Sequence, residues 1–274
     1  MKTIPILTIS VVVYKTPTEQ LLPLFASILQ LENIAVCVVD NYGDPALEAE
    51  VSGRDWTYVR PPSNLGYGRA HNLAFSYLRP LQAEFHLVVN PDISFEAQGM
   101  QAMISHMRDH PEVGQLMPRI VFPDGRQQFL CKLLPTPADL ILRRFLPSGQ
   151  LKRALRDRYE LRKWSYAEVA DIPSLSGCFM LLRSMAFEEC GGFDERYFMY
   201  LEDLDICRRI GMRWRTRYFP LVQVTHAYAR GSYNNARMLT YHVASAIRYF
   251  SRWGWVFDSY RKMRNKKAKI ELGL

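Results

Sequence analysis

The first 110 residues alternate between short runs of β-branched and other apolar side chains and longer segments with apolar residues at helical spacing. Residues 6–14, 34–39, 57–59 and 84–89 have strand character. Between them, residues 18–31 carry Leu21, Leu22, Leu24, Phe25, Ile28 and Leu29 every three to four positions, and 68–78 and 99–109 also read as helices. Parallel strands need a crossover between them, usually a helix. The alternation therefore predicts an α/β fold with a mostly parallel, doubly wound central sheet flanked by helices. Ligands of such sheets bind at the carboxyl ends of the strands. Two polar clusters fall at predicted strand ends, Asp40-Asn41 and Asn90-Pro91-Asp92, which makes them site candidates.

The pattern changes after about residue 115. Residues 116–122 and 127–129 flank Pro123-Asp124-Gly125 and read as a hairpin. Residues 135–163 are basic and contain Pro147-Ser148-Gly149, the pattern of a mobile excursion over the site. Residues 172–182 and 214–224 return to strand character, 184–189 and 200–211 read as helices, and 236–269 form a helical, aromatic and basic tail. The organisation expected is one domain over 1–235, with the excursion at 135–165, and an extension over 236–274.

Hydrophobic residues make up 48% of the 274, enough for a sizeable core, which excludes disorder as the main state. No apolar run approaches the roughly 20 residues that span a bilayer. The apolar stretch 4–14 is interrupted by Pro5, Thr8 and Ser10 and reads as a buried strand rather than a signal peptide. Cys37, Cys131, Cys178, Cys190 and Cys207 are scattered, without metal-site or disulfide-framework spacing, so a reducing cytoplasm is expected. The formal charge of +8 suits a polyanionic partner: nucleic acid, an anionic membrane face or a phosphorylated substrate.

Four clusters carry chemistry. Asp92 reads as a turn former or as an oxygen ligand for a hard cation that takes further ligands from phosphate. Asn64-Leu65-Gly66-Tyr67-Gly68 precedes a helix, where glycines let backbone approach a phosphate or sugar, or simply make a turn. His71 stands where a dinucleotide fingerprint has its third glycine, which argues against a nicotinamide-dependent dehydrogenase. Glu202-Asp203 places two adjacent carboxylates under an aromatic entry loop, one of them a candidate general base, whereas Asp205 with Arg209 is an ordinary i,i+4 pair. His226 follows the last strand, with Arg230 and Ser232 available to phosphate oxygens.

In order and spacing, these pieces resemble glycosyltransferase family 2, especially its bacterial rhamnosyltransferase-like branch. The residues that carry the resemblance are Ile9 to Tyr14, Val38-Val39-Asp40-Asn41, Asn64 to Gly68, Asn90-Pro91-Asp92, Ser176-Gly177-Cys178, Gly191 to Glu195, Phe198 to Asp205, and His226, across about residues 6–232. The resemblance implies a GT-A fold over 1–235 and inverting transfer from a nucleotide sugar, with dTDP-L-rhamnose favoured as donor and a UDP- or GDP-sugar as the alternative. It implies nucleotide contacts from Tyr14, Asp40, Asn64, Gly66, Gly68 and Arg230, a catalytic base at Asp203, and Glu202 nearer the acceptor. It places a divalent metal, Mg2+ or Mn2+, at Asp92 and His226. Many relatives have Asp-x-Asp where this chain has Asn90-Pro91-Asp92, so the first carboxylate is absent.

The acceptor implied is a lipid-linked oligosaccharide or lipopolysaccharide glycan at the cytoplasmic membrane face. Tyr249, Phe250, Trp253, Trp255, Phe257 and Tyr260, set among arginines and lysines of the tail, suit peripheral contact with an anionic membrane. A helix packed on the domain with a solvated basic end is the other reading of that tail. A nucleic-acid-binding protein would explain the charge, but no recognised motif accompanies it, and no nucleic-acid partner is expected. A non-catalytic nucleotide-sugar-binding protein is the remaining alternative, and the intact Glu202-Asp203 pair argues against it.

Overall fold

In the computed structural model, which describes residues 4–142, 146–147, 149–227 and 236–274, the first apolar run forms β1 (Leu7–Val13), buried at all but one position. β1 pairs in parallel with β2 (Ile34–Asp40) on one side and β4 (Phe85–Val89) on the other. β3 (Thr57–Val59) extends this parallel block beyond β2. The connections are α1 (Thr18–Leu29), α2 (Pro45–Ser52) and α3 (Tyr67–Leu78). The sequence reading missed α2, which buries only Leu47 and Val51. Its signal was local: Asp44 accepts from the Ala46 N–H at 2.9 Å as N-cap, and Pro45 opens the helix.

Beyond β4 the sheet becomes mixed. β8 (Phe179–Arg183) runs antiparallel to β4, and β6 (Val113–Val121) runs antiparallel to β8 and parallel to β9 (Arg215–His226). The short strands β5 (Ile93–Ser94) and β7 (Ala170–Asp171) both pair antiparallel with β9. The order is β3-β2-β1-β4-β8-β6-β9-β5, with β7 beside β9. The parallel arrangement expected from the alternation thus holds for the block β3-β2-β1-β4. Of the run expected as one strand over 172–182, only its end is strand, as the start of β8; β7 lies just before the run, and within it Ser174 makes an isolated bridge to Lys132. The antiparallel register puts the first residues of β8 beside the last residues of β4, and the Asn90 N–H donates to the Cys178 carbonyl at 2.9 Å. The expected hairpin is present in short form, with Gly125 at φ +81 and the Gln128 N–H donating to the Ile120 carbonyl at 2.9 Å.

The remaining helices are α4 (Ala97–Asp109), α5 (Gln150–Tyr159), α6 (Ser184–Glu189), α7 (Glu202–Ile210), α8 (Ala236–Trp253) and α9 (Ser259–Glu271). Leu140 and Tyr159 of the basic segment and Leu134 just before it are buried, and the Leu134 N–H donates to the Asn265 side chain of α9 at 2.9 Å. Among the described residues no helix is long and apolar enough to cross a membrane.

The tail packs on the domain: Ala246, Tyr249, Phe250 and Ala268 are buried in the main core. A charged clamp fastens it. Arg208 of α7 donates to both oxygens of Asp258 at 2.6 and 2.7 Å, and the two side chains are 3% and 2% exposed. The Arg208 guanidinium also lies 4.3 Å from the centre of the Trp253 ring, and the Trp253 indole N–H donates to Asp205 at 2.8 Å. Asp258 caps α9 by accepting from the Arg261 N–H at 2.9 Å. Removing one partner of a buried pair strands the other charge, which costs about 3–5 kcal/mol. Asp258→Ala is therefore expected to lower stability in urea melts by about that amount. A loss below about 1 kcal/mol, the range of an exposed pair, would show that the clamp does not hold the tail.

Candidate active site

Five chain segments meet at one edge of the sheet: the ends of β4 and β9, the start of β8, and the N-termini of α3 and α7. From β4 and β9 come Asp92 and His226. Asp92 Oδ1 lies 3.2 Å from His226 Nε2, with the His side chain 6% and the Asp side chain 25% exposed. The register fixes this meeting, because Ile93 pairs with His226 and the Ala227 N–H donates to the Asp92 carbonyl at 2.9 Å. On the other side of the ring, His226 Nδ1 is 2.9 Å from the Gln128 amide oxygen, and the Gln128 amide N–H donates to the His226 carbonyl at the same distance. Gln128 thereby fixes a proton on Nδ1 and turns Nε2 toward Asp92. Burial pulls the His226 pKa down, but hydrogen bonds and charge from Asp92 and Cys178 outweigh it and push it up to about 10. Gln128 escaped the sequence reading, since nothing local marks a glutamine of a hairpin as a partner for a distant histidine.

An octahedral cation with bonds of about 2.1 Å holds neighbouring ligands ~3 Å apart, so the Asp92 and His226 donors fit such an ion as a pair. Among the described residues no group of three or more His, Cys, Asp or Glu forms a complete metal cluster. Two protein ligands with phosphate oxygens supplying the rest is the arrangement this donor set allows.

From α7 come Glu202 and Asp203, and the structure separates them. Asp203 is half-buried. Its Oδ2 accepts from the Gly177 N–H at 3.0 Å and its Oδ1 from the Leu204 N–H at 2.8 Å. Gly177 leaves room for this carboxylate, since a side chain there would start 3.0 Å from Asp203 Cβ. The Gly177 carbonyl accepts from the Tyr67 hydroxyl at 2.6 Å, tying α3 to the same peptide. Burial raises the Tyr67 phenol pKa well up, helped by Cys178, Glu202, Asp203 and Asp92, so these groups share one electrostatic neighbourhood.

Glu202, which the resemblance sets nearer the acceptor, is 5% exposed. Consecutive helical residues point about 100° apart, which lets one of the pair be buried and the other half-buried. The Glu202 Cβ lies 3.5 Å from where a Gly68 side chain would begin, beneath the turn into α3, and its Oε2 has no hydrogen-bond partner in the protein. Burial, then the Asp203 charge, pushes the Glu202 pKa up to about 8.

The turn 64–68 packs closely on the loop before α7. Gly66 has φ +78, and a side chain on it would fall on the Phe198 carbonyl oxygen. A side chain on Gly68 would meet Phe193 Cβ at 2.8 Å. The bare backbone at both glycines receives the loop before α7. Asn64 accepts from the Gly66 N–H at 2.8 Å, and Asn41 holds the turn through the Leu65 N–H and the Gly66 carbonyl at 3.0 and 3.2 Å.

At the end of β2, Asp40 is 1% exposed and accepts from the Tyr42 N–H, the Asp44 N–H and the Tyr58 hydroxyl at 2.8, 2.6 and 3.0 Å. These bonds shape the turn that presents Tyr42. Tyr42 and Tyr14 are exposed, 6.2 Å apart edge to face, and the Lys15 ammonium lies 5.1 and 5.6 Å from their ring centres. Tyr42 and Lys15 join Tyr14 as candidate nucleotide contacts; their position just after β1 and β2 was the available signal. Arg230 and Ser232 lie outside the described residues.

No protein-family model matches the chain. Over 77% of the chain, it is 30% identical to the N-acetylglucosaminyl-diphospho-decaprenol L-rhamnosyltransferase of Mycobacterium tuberculosis, 79% of which is covered. The rhamnosyltransferase WbbL of Escherichia coli K12 is 26% identical over 68% of this chain and 70% of its own length. Among solved structures, GalNAc-T7 with UDP, GalNAc and Mn2+ superposes with a TM-score of 0.64 at 12% identity, over 95% of this chain. This chain spans half of that protein, so the likeness concerns one part of it. The mannosyltransferase PcManGT of Pyrobaculum calidifontis, in complex with GDP-Man and Mn2+, gives 0.57 at 17% identity, over 99% of this chain and 76% of its own. These structures share the GT-A fold with this chain.

The Glu202 environment makes a pH prediction. An acid whose folded pKa is raised to about 8 holds its proton in the native state while the unfolded chain, near 4.5, releases it. Its contribution therefore destabilises progressively as pH rises from about 4.5 to about 8. Glu202→Gln should gain stability over the natural protein across that interval in urea melts. A difference between the two that is flat with pH would mean that Glu202 titrates as an ordinary carboxylate.

Proposed function

This chain belongs to the rhamnosyltransferase-like branch of glycosyltransferase family 2, and from that premise we propose an inverting enzyme that moves L-rhamnose from dTDP-L-rhamnose to a hydroxyl of a lipid-linked or other cell-surface glycan. The observation that carries this reading is the placement of Asp203. It is half-buried and held by the Gly177 N–H, at the sheet edge where Asp92 and His226 also meet. The donor would lie between the Tyr14–Tyr42 side and the Asp92–His226 pair, with the nucleotide over the strand ends as α/β sheets bind it. Rhamnosyltransferase activity on a lipid-linked diphosphate sugar, named for the mycobacterial relative, supports both the sugar and the acceptor class.

In the transfer, the acceptor oxygen attacks the anomeric carbon from the face opposite the diphosphate. The new C–O bond forms as the bond to the diphosphate breaks, and Asp203 takes the acceptor hydroxyl's proton. Asp92 and His226 would hold a divalent metal, Mg2+ or Mn2+, which when bound offsets charge on the diphosphate. Glu202, buried beside Gly68, fixes the start of α7 rather than touching the acceptor. Asp40, Asn41, Asn64, Gly66 and Gly68 shape the turns that border the nucleotide. Arg230 is a further phosphate contact in this reading. The domain of 1–235 performs the chemistry, and the extension of 236–274 serves peripheral contact with the cytoplasmic membrane face.

Positioned general bases contribute about 10²–10⁴-fold in rate. Asp203→Asn is expected to leave the melting temperature nearly unchanged and to lower sugar transfer by about that factor. Transfer at the natural rate in a folded Asp203→Asn variant would remove Asp203 from the role of base.

A further inference from the structure

Between α8 and α9 the chain turns through Gly254–Phe257. This turn exposes three consecutive large apolar side chains: Trp255 is 41%, Val256 68% and Phe257 87% exposed. They are not on a loose loop. Gly254 takes φ +99 and its bare backbone lies against the Phe257 carbonyl. The Gly254 N–H donates to the Phe250 carbonyl at 2.8 Å, Arg261 donates to the Val256 carbonyl at 3.2 Å, and the Trp255 ring sits 5.2 Å from the buried Phe250 ring. The turn is thus held rigidly while its apolar side chains face water, an arrangement that costs free energy unless something covers them.

The neighbouring surface identifies the cover. α9 turns Arg261 and Ala268 inward, and its exposed residues recur at 259, 262, 263, 266, 267, 270 and 271, the spacing of one helix face. That face carries Lys262, Lys266 and Lys267 together with Met263 and Ile270, which are 57% and 68% exposed. Lys262 and Lys266 have no ion-pair partner among the described residues, and Lys267 reaches Glu271 at 3.7 Å. A protein partner's hydrophobic patch would not attract three lysines set among apolar residues. A bilayer surface with anionic headgroups does both: the acyl boundary takes Trp, Val, Phe, Met and Ile, and the headgroups take the ammonium groups.

We propose that the Trp255–Phe257 turn and the outer face of α9 form the surface by which this chain docks on an anionic bilayer. This rests on, and sharpens, the reading of the tail as a peripheral membrane contact. The clamp described above gives the surface a further consequence. Trp253 and Asp258 flank the turn, and they bond Asp205 and Arg208 of α7. Arg208 lies five residues, or about 7.5 Å along the helix axis, beyond Asp203. The docking turn is therefore fastened to the helix that carries the candidate base, so docking sets the position of the site relative to the bilayer and to any acceptor anchored in it.

The test is cosedimentation of the full chain with vesicles of mixed phosphatidylglycerol and phosphatidylcholine, and with phosphatidylcholine alone. The natural chain should bind the anionic vesicles at least about tenfold more tightly than the neutral ones. Val256→Ser with Phe257→Ser should weaken binding by about tenfold or more, and Lys262→Glu with Lys266→Glu should abolish the preference for anionic lipid. All four positions are exposed, so the melting temperature should stay unchanged and report that each variant is folded. Equal binding by the Val256/Phe257 variant would overturn the proposal. So would light scattering that shows a dimer of the natural chain converted to monomer by the same changes, since the patch would then be a contact between copies. Neither result bears on sugar transfer, which is read separately from turnover of the nucleotide sugar.

Discussion

The antiparallel pairing of β8 against β4 is the constraint on which the site depends. Because the two strands run in opposite directions, Phe179 at the start of β8 faces Val89 at the end of β4. Gly177 and Cys178 therefore stand at the ligand edge of the sheet. A parallel β8 would carry them to the opposite edge, about 16 Å away at ~3.3 Å per residue. At the ligand edge the Gly177 peptide uses both of its polar groups, the N–H on Asp203 and the carbonyl on the Tyr67 hydroxyl. One peptide thus positions the candidate base and ties the N-termini of α7 and α3 together.

Local conformations around this peptide favour placement over stability. Tyr200 and Leu201, immediately before Glu202, both adopt left-handed backbone with φ +70 and +66, a conformation that costs roughly 1–2 kcal/mol for each such residue. Two carboxylates follow at the start of one helix, one of them buried. The surroundings compensate. Gly66 and Gly68 admit the backbone and side chains of the loop before α7, and Asn72 fixes that loop by accepting from the Phe193 N–H and donating to the Phe193 carbonyl, both at 2.8 Å. Arg208 and Asp258 hold the other end of α7. Strain concentrated at a site and held by rigid neighbours is a general feature of catalytic loops.

Most of this architecture was legible in the sequence wherever a period or a strand end carried the signal. The strands up to β4, the helices α1, α3 and α4, and the clusters at Asp40 and Asp92 follow from alternation and from the rule that ligands gather at strand ends. The late half was harder, because strand direction is not written in an apolar run. Residues 172–182 look like one strand, yet only the last part enters the sheet as β8, while Ser174 pairs with Lys132 instead. The glycines of 64–68 were visible, but a glycine says that space is needed and not what fills it; here Phe193 and Phe198 do. Glu202 and Asp203 were visible as a pair, yet their division into buried and half-buried depends on the helix phase at Leu201. Gln128 left no local trace, and Tyr42 only its position just after a strand end.

The measurement that tests the account most directly is thermal stabilisation of the natural chain and of Asp92→Ala by dTDP-L-rhamnose, UDP-sugars and GDP-sugars, each with and without Mn2+ or Mg2+. A ligand at about 100 times its dissociation constant adds roughly 2.7 kcal/mol to native stability, a readable rise in melting temperature. The account predicts a metal-dependent rise with dTDP-L-rhamnose that is lost or greatly reduced in Asp92→Ala. No rise with any nucleotide sugar, or a full rise in Asp92→Ala, would contradict a donor site built around Asp92 and His226.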